Sequence, residues 1–110
     1  MNVRFLVEAR ADISTSRGWY ETHAGVRVGD EFAAEVGHAL DRLTAHPMSS
    51  PLWPGRPGRL GVRRALLARF PFAVGYLVDD DALTVVAVAH FRRRPGYRLR
   101  RVSWSTRRSR

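Results

Sequence analysis

The sequence contains no cysteine and no lysine, and it has no long hydrophobic run. The absence of cysteine excludes disulfides and thiolate-bound metals. Without lysine, the chain has no side-chain amine whose pKa could be lowered to make it a catalytic base. A membrane-spanning helix needs roughly 20 consecutive apolar residues, and no such run is present. Residues 1–10 lack the basic start, apolar middle and small-residue cleavage site of a secretory signal. These absences predict a cytoplasmic protein with one domain and no membrane segment.

The basic residues are numerous and unevenly placed. All 19 of them are arginine, and the formal net charge is +9. Residues 1–55 contain five arginines and seven acidic residues, whereas residues 56–110 contain fourteen arginines and three acidic residues. A guanidinium group presents a planar set of donors that suits phosphate and carboxylate groups. Such charges can simply form a solvated face, but an imbalance of this size favours an anionic partner.

Two helices are predicted in the first half of the chain. Residues 28–46 have the stronger pattern, with Asp30 and Glu31 in the first turn and Pro47 as a stop signal. Their apolar side chains recur at helical spacing and form one stripe: Phe32, Val36, Ala39, Leu40 and Leu43. Residues 9–23 are a weaker candidate because they include serine, threonine and glycine. The break at residues 24–25 then predicts a helical hairpin.

Strands account for the rest of the predicted fold. Residues 3–7 predict a short first strand, and residues 62–68, 72–78 and 83–89 predict an antiparallel meander with a turn at residues 79–81. Residues 47–61 are rich in proline and glycine, which predicts a long loop that Trp53 attaches to the core. The expected fold is α+β, with the order β-α-α-β-β-β and a helical hairpin on a small twisted antiparallel sheet that has the first strand at its edge. Residues 1–98 would form the domain, and residues 99–110 a basic, mobile tail.

Several strings of residues are similar to a known family. Residues 62–74, VRRALLARFPFAV, and residues 87–97, AVAHFRRRPGY, resemble segments of the RelE/ParE superfamily, the toxins of bacterial type II toxin–antitoxin (plasmid stabilisation) systems. Residues 19–21 and 29–32 resemble it more loosely, and the likeness extends over about residues 3–101. The resemblance implies a toxin that stops growth when free and is neutralised by a cognate antitoxin. It also implies one of two targets, since the RelE branch cleaves messenger RNA on the ribosome and the ParE branch inhibits DNA gyrase.

The candidate catalytic residues follow the last predicted strand: His90, Arg92, Arg93 and Tyr97. Cleavage of RNA needs a base near the 2′-hydroxyl, cations on the phosphate and an acid for the leaving oxygen. His90 titrates near neutral pH, the two arginines would hold a phosphate, and Tyr97 would stack on a base or donate a proton. The alternative is that His90 forms a local hydrogen bond at the end of a strand while the arginines lie in solvent.

A second set of residues is predicted to contact nucleic acid or another target: Arg63, Arg64, Arg94, Arg98, Arg100 and Arg101. Arg63 and Arg64 would point to opposite faces of a strand, so we expect Arg64 alone to join the His90 site, with an ion pair to Glu31 or Glu35 as the alternative. The ribonuclease branch commonly has an arginine where this chain has Ala73. This departure favours a ParE-like toxin that acts by binding.

Three functions therefore stay open: a ParE-like toxin that acts on a target such as gyrase, a RelE-like ribosome-dependent endoribonuclease, and a non-toxic basic module that binds nucleic acid. The expected partners are an antitoxin with an acidic or amphipathic segment and, as target, gyrase or the ribosome with its messenger RNA. No cofactor is expected. No metal site is expected either, because His23, His38 and His46 share no ligand spacing.

Overall fold

The computed structural model describes residues 1–90, which form four strands and three helices. These elements are β1 (Asn2–Phe5), α1 (Val7–Ala24), α2 (Val26–Ala45), α3 (Arg56–Arg59), β2 (Arg63–Leu66), β3 (Phe72–Val78) and β4 (Ala82–His90). The predicted α+β order β-α-α-β-β-β is confirmed. The single turn of α3 lies in the segment predicted as loop. The predicted boundary between the domain and residues 99–110 lies outside the described residues.

The four strands form one sheet in the order β1-β4-β3-β2. The meander of β2, β3 and β4 is antiparallel, as predicted. Asp79 closes the β3–β4 turn, because its Oδ1 accepts hydrogen bonds from the backbone N–H groups of Asp81 and Ala82 at 3.1 and 2.9 Å. β1 lies at the edge, but it runs parallel to β4. The sheet is therefore mixed, and the prediction of a wholly antiparallel sheet is wrong for β1. A crossover through two helices can return the chain in either direction, so the order of the elements did not fix the direction of this strand.

The two long helices form the predicted hairpin on one face of the sheet. Gly25 joins them with a φ of +103°, a backbone conformation that glycine adopts without a steric penalty. The apolar stripe of α2 is buried as predicted, and Phe32 is completely inaccessible. Its ring contacts Tyr20 of α1, Phe70 and Phe72 at centroid distances of 5.5, 5.4 and 4.9 Å. This aromatic group holds the hairpin on the first half of β3. Neither α1 nor α2 is long and apolar enough to span a bilayer.

α1 contacts the last part of β4, beyond the residues that pair with β1. β1 ends opposite Val85, so the last part of β4 has no strand neighbour on that side within residues 1–90. There the buried carboxylate of Asp12 accepts a 3.0 Å hydrogen bond from the backbone N–H of Val88. Ser16, one turn further along α1, is also buried. The weak helical pattern of residues 9–23 did not indicate this buried polar face of α1.

The loop of residues 47–61 covers the other face of the sheet. Trp53 is buried there with Val62, Ala73, Val86 and Ala87, which confirms that this residue attaches the loop to the core. A Cβ atom placed on Gly75 would lie 3.0 Å from Cζ3 of Trp53. A side chain in the middle of β3 would push the indole ring aside by a few tenths of an ångström, so glycine at this position lets the ring approach the strand closely.

Candidate functional site

His90, at the end of β4, lines a cavity of about 440 Å³ between α1 and the sheet, here called the His90 cavity. Its other lining residues are Thr15, Ser16, Trp19, Tyr20, Pro71 and Phe72. The second half of α1 forms one wall, and the start of β3 forms the other. β3 and β4 bring the cavity together because Phe72 pairs with His90 across the strands.

The walls of this cavity are largely aromatic. The imidazole of His90 lies edge-on to the Phe72 ring, with 5.2 Å between centroids. Tyr20 adds a phenol, and burial raises the pKa of its hydroxyl above the usual value. Trp19 is 55% exposed at the rim, where it stacks on His23 at 4.3 Å. Of the residues up to 90 that line this cavity, none is an arginine, aspartate or glutamate. The described part of the site therefore suits an apolar or aromatic group.

Most of the candidate residues near His90 in sequence lie outside the described residues: Arg92, Arg93, Arg94, Tyr97, Arg98, Arg100 and Arg101. Of the four catalytic candidates, the structure describes His90 alone. The roles of the other three stay predictions from the sequence.

Arg63 and Arg64 point to opposite faces of β2. Nη1 of Arg63 donates a 2.7 Å hydrogen bond to the backbone oxygen of Ser50. Arg64 pairs with Gly75 on the face away from the helices, where its guanidinium carbon lies 5.9 Å from the centre of the Trp53 ring. Since His90 lies on the helical face, against Phe72, the structure does not bring Arg64 together with His90.

Neither of the carboxylates considered as partners of Arg64 pairs with it. Both contact Arg69 instead, which follows β2 by three residues. Nη2 of Arg69 lies 3.0 Å from Oε2 of Glu31, and the Arg69 backbone N–H donates a 2.9 Å hydrogen bond to Oε2 of Glu35. These contacts tie the β2–β3 connection to α2.

A second cavity of about 630 Å³ lies between the end of α2 and the outer edge of β2, here called the β2-edge cavity. Its lining residues are Ala39, Arg42, Leu43, Ala45, His46, Ser49, Ser50, Pro51, Arg64, Ala65 and Leu66. Two arginines, Arg42 and Arg64, are among its lining residues, and no aspartate or glutamate is. Nε of Arg64 is buried and has no hydrogen-bond partner in the described part of the chain. Apart from the choice of Arg64, no pattern in the sequence indicated this cavity, because Arg42 lies more than twenty residues away from Arg64.

The net charge of the chain is concentrated after His90. Nine of the 19 arginines and none of the ten acidic residues fall in residues 91–110, which leaves ten of each in residues 1–90. The described domain therefore carries no formal net charge, and the uneven charge of the two halves comes from the last twenty residues. Within residues 1–90, no three His, Asp or Glu side chains are placed to hold a metal ion.

Comparison with known proteins gives the family. The family model described as the ParE toxin of the type II toxin–antitoxin system parDE matches residues 3–95. No curated protein sequence matches the chain. Among solved structures, the chain resembles one from a chromosomal ParDE toxin–antitoxin system of P. aeruginosa, with a TM-score of 0.69 and 19% identity over 82% of this chain and 95% of that one. This second likeness shows the shared fold, and the family match covers most of the sequence. The chain belongs to the ParE toxin family of type II toxin–antitoxin systems.

Proposed function

We propose that this protein is a growth inhibitor that acts in the cytoplasm by binding a target such as DNA gyrase, and that a cognate antitoxin neutralises it. The family membership supports the pairing with an antitoxin. The largely aromatic lining of the His90 cavity supports a binding role, and it is the observation on which this choice depends.

Cleavage of RNA requires a cation that stabilises the charged phosphate in the transition state. In residues 1–90 the His90 ring packs edge-on against Phe72, and the other described residues that line the cavity are uncharged. Arg64, the described arginine that was expected beside His90, lies on the opposite face of the sheet. An aromatic cavity of this kind is suited to hold an apolar side chain of a protein partner.

The charge distribution supports an anionic macromolecule as part of the target. Residues 91–110 follow His90 directly and combine nine arginines with Phe91, Tyr97 and Trp104. Arginines interleaved with aromatic residues favour contact with nucleic acid strands, because they supply both charge and stacking surfaces. Gyrase bound to DNA would offer a protein surface and phosphates together.

Controlled expression of the full chain in a bacterium tests the proposal. We expect growth to stop, DNA damage to increase, transcripts to remain intact, and purified gyrase to lose supercoiling activity when the toxin is added. The toxicity of His90→Ala should stay within about threefold of that of the unmodified chain. The control His38→Ala, which changes an exposed histidine of α2, should behave in the same way.

Two results would instead favour the alternatives. Fresh cuts at codons of translated messages that disappear in His90→Ala, but persist in His38→Ala, would indicate a ribosome-dependent endoribonuclease. Normal growth with retained binding to nucleic acid would indicate a non-toxic basic module.

A further inference from the structure

Trp19 forms an exposed stacking surface at the rim of the His90 cavity. Its ring is more than half exposed, although a large apolar ring gains free energy when it is buried. The imidazole of His23 stacks on the indole at 4.3 Å, with 17° between the ring planes. Nδ1 of His23 in turn donates a 2.9 Å hydrogen bond to the backbone oxygen of Trp19. The indole is therefore held in position beside the cavity before any ligand binds.

The lining of the cavity combines aromatic rings with hydrogen-bonding groups. Phe72 and His90 supply two further rings, which meet edge to face. Three other lining residues carry hydroxyls: Thr15, Ser16 and Tyr20. A hydroxyl can donate or accept a hydrogen bond, so a flat ring with polar atoms along its edge can use both kinds of group. The volume of about 440 Å³ lies within the range of small-molecule sites, about 300–1,000 Å³.

Positive charge follows the cavity directly in the chain. β4 ends at His90, and the next residues are Phe91, Arg92, Arg93 and Arg94. Guanidinium groups bind phosphate through pairs of parallel N–H donors. An aromatic cavity followed by a basic string is therefore complementary to a ligand that has a flat ring at one end and a phosphate at the other.

We propose that the His90 cavity binds a free purine nucleotide, with the base stacked on Trp19 and the phosphate on the arginines that follow His90. A purine fits better than a pyrimidine because its two fused rings share more area with an indole. A free nucleotide fits better than a strand, because strands stack successive bases on successive aromatic rings. Among residues 1–90, Trp19 is the only exposed phenylalanine, tyrosine or tryptophan.

Calorimetric titration of the purified full-length toxin with adenosine 5′-monophosphate (AMP) tests the binding. We expect saturation with a Kd of about 10–100 µM. Adenosine lacks the phosphate and ribose 5-phosphate lacks the base, so each should bind about tenfold more weakly. Binding of AMP that does not saturate by about 1 mM would overturn the inference. Equal affinity for AMP and ribose 5-phosphate would also overturn it, since the arginines alone would then account for the binding.

Substitution of Trp19 tests the stacking surface at an exposed position. Trp19→Ala should weaken the binding of AMP by about tenfold, because the base loses its aromatic partner, whereas Trp19→Phe should retain most of the affinity. The control Val26→Ala removes another exposed apolar side chain, on α2, and should leave the Kd unchanged. An affinity for AMP that is the same in Trp19→Ala as in the control would refute the site.

Amide NMR of the unmodified toxin locates the ligand without depending on a variant. AMP should shift the signals of Thr15, Trp19 and His90, and it should leave those of Ala39 and Leu43 in the β2-edge cavity unchanged. Shifts confined to residues 91–110 would contradict a site in the cavity. An oligonucleotide that shifts the cavity signals when AMP does not would assign the cavity to a strand instead.

The nucleotide site goes beyond the proposed function, and the two can fail separately. One consequence rests on that function: a bound nucleotide and a side chain of the target exclude each other, so excess AMP should reduce the binding of the toxin to gyrase. If AMP binds in the cavity and gyrase binding does not change, the nucleotide site stands and the cavity is not where gyrase binds. If gyrase is inhibited and AMP does not bind, the inference alone is refuted.

Discussion

Asp12 is expected to be the polar group on which the stability of the β4 edge depends most. Its side chain is 6% exposed and accepts a 3.0 Å hydrogen bond from Val88, two residues before His90. Asp12→Ala leaves the Val88 N–H without this acceptor at a position that no strand of residues 1–90 covers. A buried donor that loses its partner costs about 1–3 kcal/mol, and bonds to charged acceptors fall in the upper part of that range.

The expected loss of unfolding free energy for Asp12→Ala is therefore about 2 kcal/mol. In a domain of this size, that corresponds to a decrease in Tm of roughly 8–15 °C. Asp12→Asn retains a side-chain oxygen as acceptor, so we expect a loss below about 1 kcal/mol. Asp80→Ala, which removes an exposed carboxylate from the β3–β4 turn, should change stability by less than about 0.5 kcal/mol.

Urea denaturation of the three variants measures these differences, and hydrogen exchange locates them. The Val88 amide should exchange faster in Asp12→Ala than in the other two proteins. An Asp12→Ala protein as stable as the Asp80→Ala control, with the Val88 amide still protected, would show that α1 does not stabilise this edge through its carboxylate.

Three further predictions concern the core, the hairpin and the pH dependence. Phe32→Ala should cost about 3–5 kcal/mol in the same denaturation assay, because the ring is fully buried among three other aromatic rings. Gly25→Ala should cost about 1–3 kcal/mol because of its φ of +103°, whereas Gly37→Ala, in open space on α2, should stabilise by up to about 1 kcal/mol; equal effects would refute the backbone argument. Stability should fall as pH rises above the ordinary pKa of tyrosine, because the folded state holds the Tyr20 proton more tightly than the unfolded state; Tyr20→Phe should make this fall shallower, and an unchanged pH profile would contradict it.

Periodicity predicted the elements whose successive side chains face different surroundings. The stripe from Phe32 to Leu43 predicted α2 to within two residues at each end, because a helix that buries one face must repeat its apolar side chains every three or four positions. β3 matches residues 72–78 because its alternate side chains enter two different apolar clusters. The break at Gly25 was visible for a related reason, since few other residues join two helices with that backbone conformation.

Features that depend on distant parts of the chain could not be predicted in this way. The parallel direction of β1 follows from how the hairpin crosses the sheet. Asp12 looked like an ordinary polar residue of a weak helix, and its burial became meaningful only when β4 was placed beside it. The β2-edge cavity needs Arg42 and Leu66, which no local pattern connects.

The sequence by itself determined the class of fold, the position of the helical hairpin, the meander and the family, because each of these follows from local periodicity and from short strings of residues. The tertiary structure decided which groups meet: it separated Arg64 from His90 by placing them on opposite faces of one sheet. The physical reason is that a strand alternates its side chains between two faces, so residues in neighbouring strands share a site only when register and face both agree.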